Sequence, residues 1–287
     1  MSVYNYLSLL FIIIIFNISK VKCNIHEEKL FRDLLEGVNP MERPVKNASE
    51  SLPVKIRFFL QQIMDVDERN QVVQVNAWIR FIWTDYKLTW DPAKYDNITD
   101  IRFSGNLDQI WRPSDVMLYN SVDESFNTLY KSNLVVYSNG EIQWVPPSIL
   151  KFSCKMDITW FPFDSQICHL KFGIWTYHGD DLDLQIDTGD PNSIHQMDLS
   201  DYVVNGEWIL ASTPAKREVQ FYSCCPEPYI TIVFALHIQR RVLYYGFNLI
   251  IPSLLITILS IFGFSLAPDA GEKINLRESM VIIYVIK

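Results

Sequence analysis

The chain has 287 residues and a formal net charge of −8, with a pI near 5.1. That length admits one large domain, or one domain plus membrane elements, and the acidic balance removes electrostatic support for a nucleic-acid partner. Aromatic residues make up 14%, with 8 Trp and 14 Tyr against 10 Gly, a mixture that points to a β-sandwich core, a stacking binding site, or both.

The N-terminus reads as an export signal. Tyr6 to Ile18 is almost wholly apolar, with cleavage expected near Lys22 or Cys23, so residues 1–23 are assigned to a signal peptide. The first basic residue is Lys20, which keeps an uncleaved anchor open as the alternative. Sequons at Asn47-Ala48-Ser49 and Asn97-Ile98-Thr99 suit glycosylation of an exported domain.

Residues 24–241 are rich in strand signals. Glu27 to Glu36 reads as a short helix with Leu30, Phe31, Leu34 and Leu35 on one side and Gly37 as its stop. In Val72 to Trp83, alternate residues from Val73 to Trp83 form an apolar face, while Gln74, Asn76, Trp78 and Arg80 form the other. Trp78 on a polar face is either packed under a loop or part of a binding surface. Asn133 to Tyr137 and Glu141 to Val145 flank Ser138-Asn139-Gly140, a hairpin turn. Leu182, Leu184 and Ile186 alternate with acids, as in an edge strand. The acids of the 187–201 stretch read as solvated loop charges before a cation site. Glu218 to Tyr222 and Tyr229 to Gln239 read as strands joined by a loop from Ser223 to Pro228.

The second of those strands runs through Arg240-Arg241 into Val242 to Pro268, which holds no charged residue. That is enough to cross roughly 30 Å of hydrocarbon. Tyr244 and Tyr245 fall where an interfacial aromatic belt would lie. Residues 269–287 are a polar turn and the start of a second helix.

The cysteines are Cys23, Cys154, Cys168, Cys224 and Cys225. The last four permit three pairings, and the absence of a Cys-x-x-Cys pair argues against structural zinc; no cofactor or metal is expected. A bond between Cys154 and Cys168 would pin Trp160-Phe161-Pro162-Phe163 as an apolar contact surface. A bond between Cys224 and Cys225 would close a strained eight-membered ring and stiffen a loop tip; separate or unpaired thiols are the alternative. Tyr119, Trp175, Tyr222, Tyr229 and Trp78 stand at loops or polar faces and are candidates for a cage around a quaternary ammonium. A carbohydrate-active enzyme finds no carboxylate pair marked out by its surroundings, so no catalytic residue is assigned.

The motifs Trp111-Arg-Pro-x-Asp…Leu-Tyr-Asn, Phe161-Pro-Phe-Asp164 inside the Cys154–Cys168 loop, Gly173-x-Trp-Thr-Tyr, Tyr222-x-Cys-Cys…Tyr229 and Gly271-Glu-Lys together resemble the Cys-loop (pentameric) ligand-gated ion channels. Within that family they resemble nicotinic acetylcholine receptor subunits of α type, over residues 27–276. The resemblance implies a mainly β chain: an extracellular immunoglobulin-like β-sandwich with a short N-terminal helix, then one transmembrane helix and a partial second. It implies disulfides Cys154–Cys168 and Cys224–Cys225. It places Tyr119, Trp175, Tyr222, Cys224, Cys225 and Tyr229 on the principal face of a transmitter site between subunits. Trp78, Gln143 and Val145 fall on the complementary face. Phe161, Pro162, Phe163, Asp164, Arg240 and Arg241 match the segments that couple binding to the gate, and Glu272 matches a ring that favours cations.

The implied function is a subunit of an acetylcholine-gated cation channel at the plasma membrane, postsynaptic, binding acetylcholine or a related quaternary ammonium. Its partners would be other subunits in a homo- or heteropentamer. The chain departs from the pattern after Leu276, where Arg277-Glu278-Ser279-Met280 stands in place of an uncharged pore helix and the sequence ends at Lys287. The alternative expectation is therefore a membrane-tethered, non-conducting acetylcholine-binding or dominant-negative subunit.

Overall fold

A computed structural model of the chain describes residues 25–124, 129–189, 195–223 and 225–265, with side chains up to Phe262. The signal segment with Cys23, the residue Cys224, and the 269–287 segment with Glu272 lie outside the described residues.

Helix α1, Ile25–Leu35, buries Leu30 and Leu34. This is the apolar stripe expected from their spacing. Among the described residues twelve strands follow, and period-2 alternation decides which way each one faces. In β2, Val72–Thr84, the residues Val73, Val75, Ala77, Ile79, Phe81 and Trp83 are all at most 2% exposed. Strand β1, Leu52–Asp67, alternates in the same way until register shifts at Leu60/Gln62 and Ile63/Asp65 bend it.

The strands form two sheets. The larger contains β1, β2, β3 (Asp100–Phe103), β5 (Leu134–Tyr137), β6 (Glu141–Trp144), β7 (Pro147–Ser153) and β9 (Leu182–Ile186). Its order is β3-β5-β6-β2-β1-β9, with β7 also on β2. Strand β9 is an edge, paired parallel to β1. The β5–β6 hairpin turns at Gly140, whose φ of +84° suits a residue without Cβ. The smaller sheet runs β10 (Trp208–Ser212), β12 (Cys225–Arg240), β8 (Ser165–Ile174), β4 (Val116–Leu118), with β11 (Ala215–Tyr222) also on β12. Phe58 of the first sheet meets Phe234 and Phe172 of the second at ring distances of 5.1 and 6.0 Å, in the middle of the core. The chain is thus a β-sandwich with an N-terminal helix.

Two expectations need correction. The loop read over Ser223–Pro228 is shorter, because β12 begins at Cys225 and its ladder with β11 continues past Phe221↔Pro228 through a bulge. The acids of the 187–201 stretch are not all solvated: Asp187 pairs with Arg80, and Asp198 with Arg57. As expected, the apolar run is helical, described from Val242 to Ser265, and within it Gly246–Ile250 winds as a π turn. Pro252 explains the change, because it has no N–H to continue the ladder. Val242–Phe262 is long and apolar enough to cross a membrane.

Candidate ligand-binding site

Four of the anticipated aromatic residues converge on the outer side of the smaller sheet. Tyr119 follows β4, and its ring lies 6.0 Å from that of Trp175, edge to face. Tyr222 ends β11 and Tyr229 lies in β12; their rings are 5.4 Å apart in the same geometry. The register Gln220↔Tyr229 brings these two together. Burial, followed by the nearby Tyr222, Asp115 and Tyr229, pushes the Tyr119 phenol up to about 12. Tyr222 and Tyr229 thus stand close enough to act on the Tyr119 phenol, which stays neutral at physiological pH. Trp175 is 65% exposed, leaving its indole face open.

The backbone prepares this cluster in ways that the motifs alone do not assign. The Tyr119 hydroxyl donates to the carbonyl of Ile174 at 2.6 Å, so its ring lies across β8 over Gly173. A Cβ at Gly173 would stand 2.2 Å from Cζ of that ring. One carboxylate oxygen of Asp115 accepts from the Thr176 amide at 2.7 Å and the Thr176 hydroxyl at 2.8 Å, while the Asp115 carbonyl accepts from the Trp175 amide. Asp115 thus holds the turn that presents Trp175. Gly173 and Asp115 both stand inside the motifs named above, but their roles depend on contacts across the fold.

Trp78, Gln143 and Val145 lie in the other sheet. Trp78 faces outward from β2 at 41% exposure, between Phe59 on β1 and Pro147 on β7. Gln143 pairs with Ile82 on the same sheet, and Val145 follows directly after β6. Beside them Phe59 lies between the guanidinium groups of Arg57 and Arg80, at 5.3 and 5.6 Å. One chain therefore carries an aromatic cluster on one sheet and a separate aromatic surface on the other.

Cys154 and Cys168 form a disulfide with a Cα separation of 5.2 Å. Cys224 lies outside the described residues, so its expected bond to Cys225 stays an expectation. The loop closed by the first bond exposes Trp160 and Phe163, and its Phe161–Pro162 peptide is cis. Phe161 packs against Tyr245 of the apolar helix at 5.0 Å.

Arg240, at the end of β12, gathers this end of the molecule. Its side chain is 1% exposed, donates to Asp164 at 2.7 and 3.0 Å and to Glu68 of the β1–β2 turn at 2.7 Å, and lies 4.2 Å over the Trp208 ring. Burial works against ionisation of Asp164, but hydrogen bonds from Arg240 and Gln166, together with the Arg240 charge, outweigh it and hold the carboxyl below its usual range. Arg241 differs: its amide donates to the Glu207 carbonyl. Asn47 and Asn97 are both exposed, as sequons require. Among the described residues no group of three metal-ligating side chains occurs.

A two-sheet sandwich with an outward aromatic cluster, and with a disulfide loop against a membrane-length helix, defines a ligand-binding domain of receptor type. The profile of the neurotransmitter-gated ion-channel ligand binding domain matches residues 27–242, and the chain belongs to that family, the Cys-loop ligand-gated ion channels. It is 53% identical over 259 residues to acetylcholine receptor subunit alpha-type acr-16 of Caenorhabditis elegans, covering 90% of this chain and 50% of that protein. Acetylcholine receptor subunit alpha-type acr-7 of the same organism is 49% identical over 281 residues, covering 95% and 51%. Neuronal acetylcholine receptor subunit alpha-2 of Gallus gallus is 42% identical over 256 residues, covering 89% and 47%. The chain spans about half the length of the curated relatives it matches.

Proposed function

We propose that the chain serves as a subunit of an acetylcholine-gated cation channel and binds acetylcholine, or a related quaternary ammonium, between subunits. The observation that carries this reading is the convergence of Tyr119, Trp175, Tyr222 and Tyr229 around one space. Neutral aromatic faces attract a permanent cation by roughly 0.5–2 kcal/mol each, more where water is excluded. Trp78, Gln143 and Val145 of the next subunit close the cage, with Cys224 and Cys225 at its tip. The names of the relatives support the transmitter.

Binding is passed on through the foot of the domain. Strand β12 joins the Tyr229 end to Arg240 without a break, and Arg240 ties the Asp164 carboxylate and Glu68 to the first turn of the helix. Phe161, Pro162 and Phe163 bear on the membrane part, with Arg241 beside them, and Glu272 favours cations at the pore mouth. In this reading residues 1–23 are a signal segment, 24–241 the extracellular domain, 242–268 the membrane segment and 269–287 the remainder, so the ligand site lies outside the plasma membrane. Glycans at Asn47 and Asn97 suit that exposure.

The test is equilibrium binding of a radiolabelled cholinergic ligand to cells expressing the chain. Trp175→Ala should lower affinity by about two orders of magnitude, as expected for losing a desolvated indole. Trp90→Phe, which alters an indole bonded to the Ile98 carbonyl, should leave affinity unchanged. Equal loss in both variants, or no saturable binding by an assembled parent, refutes the assignment.

A further inference from the structure

Between the two sheets, on the inner side of the strands that carry the aromatic cluster, lies a cavity of about 570 Å³. That volume falls within the range of small-molecule sites. Its apolar walls are core side chains, among them Leu118 of β4, Phe172 of β8 and Trp144 of β6, each at most 4% exposed. Its polar lining is Asp108, Arg112, Ser114 and Lys131. Asp108 and Lys131 are about half exposed, which places the mouth there. The cavity is distinct from the aromatic cluster. Leu118 and Phe172 point inward, whereas Tyr119 and Gly173, next to each in sequence, meet on the outer side.

The chemistry of this lining is one-sided. Trp144 is 3% exposed, and its Nε1–H finds no acceptor among the described residues. Buried polar groups are rarely left in that state. The Arg112 guanidinium lies 5.6 Å over the Trp144 ring, with its side chain only 11% exposed. Two cations, Arg112 and Lys131, share the single carboxylate of Asp108. Positive charge is thus in excess at the polar end, and apart from Ser114 the remaining lining is apolar. An apolar ligand would leave the Trp144 donor unmet, and a cationic ligand would face two like charges. A carboxylate on an apolar body meets both conditions, taking over the pairing that exposed Asp108 now supplies.

We propose that this cavity is a second ligand site, within one subunit, for small aromatic or aliphatic carboxylates. The carboxylate pairs with Arg112 and Lys131 and accepts from the Trp144 Nε1–H, and the body packs against Leu118 and Phe172. The assignment is independent of the ligand chemistry proposed for the aromatic cluster.

The experiment titrates the full chain in lipid nanodiscs with phenylbutyrate and with phenylbutanol, its uncharged counterpart, by calorimetry and tryptophan fluorescence. Phenylbutyrate should bind saturably, and about tenfold more tightly than phenylbutanol, because of its charge-assisted bonds. Lys131→Gln, at an exposed side chain, should weaken phenylbutyrate by about tenfold and leave phenylbutanol unchanged. Leu129→Trp, which fills the cavity from its rim, should abolish both. Thermal melting confirms that each variant is folded, and the Lys131 variant carries the test if the Leu129 variant is not. No saturable binding, equal affinity for acid and alcohol, or phenylbutyrate binding undiminished in Lys131→Gln overturns the proposal. Retention of cholinergic binding in that case would leave the proposed function standing; loss of cholinergic binding in Trp175→Ala bears on that function alone.

Discussion

A methyl group at position 173 would stand 2.2 Å from Cζ of Tyr119 and 2.3 Å from its hydroxyl oxygen. Neither distance is tolerable, and the ring is fixed by its bond to the Ile174 carbonyl, so one of the two must move. Gly173→Ala should therefore swing Tyr119 out of the cluster. We expect quaternary-ammonium affinity to fall about tenfold or more, with an overpacking cost of roughly 1–3 kcal/mol. Ligand titration beside a thermal melt separates the two effects. Normal affinity in a stable Gly173→Ala protein would show that Tyr119 is not held by this contact. The Tyr119 position itself is legible in the sequence, since it closes a motif of fixed spacing. The need for glycine opposite it is not, because Gly173 and Tyr119 meet only when β4 and β8 pair. Trp78 is the clearer case: strict alternation puts it on the outer face of β2, and it is there.

At the scale of elements, β12 connects the two ends of the sandwich and finishes at Arg240, whose charge is buried between Asp164, Glu68 and the Trp208 ring. Breaking such a pair leaves a buried carboxylate without compensation, which costs about 3–5 kcal/mol. Arg240→Gln should lower Tm by on the order of 10 °C; a shift near zero would mean the pair is solvated. The Asp164 carboxyl is depressed in the folded state, so its stabilising effect is complete above the unfolded value of about 3.9 and is lost as pH falls through the folded value. Denaturant titrations between about pH 6 and pH 2 should show this slope in the parent and a shallower one in Asp164→Asn. An identical slope in both would remove Asp164 as its source.

Strands with regular alternation, such as β2 and the core of β12, are readable from the residues, because period 2 follows from local geometry. Ion pairs are not. Arg57 meets Asp198 across 141 positions and Arg240 meets Asp164 across 76, and no local pattern encodes such meetings. For the same reason the acids after β9 look solvated in the sequence, although two of them clamp their segment onto the outer face of β1 and β2.

At the scale of the whole molecule, the aromatic cluster and the Trp78 surface lie on different sheets, and the function proposed above has them meet across subunits. On that proposal a neighbour closes the site, and a ring in which each subunit presents its cluster to the Trp78 surface of the next would satisfy every copy by one heterologous contact. A chain carrying both proposed halves is compatible with homomeric assembly. This makes a complementation test decisive. Trp78→Ala and Trp175→Ala should each abolish high-affinity binding when expressed alone, since every interface then lacks one half. In a mixture of equal amounts, random assembly leaves about a quarter of the interfaces with both halves intact, provided that the contact is head to tail. High-affinity sites should therefore return to about a quarter of the parental number, at parental affinity. Recovery would require that each half come from a different subunit. No recovery, with both variants present in the same oligomers by cross-linking, would mean that the two surfaces do not meet, and that the partner completing the cage is a different chain.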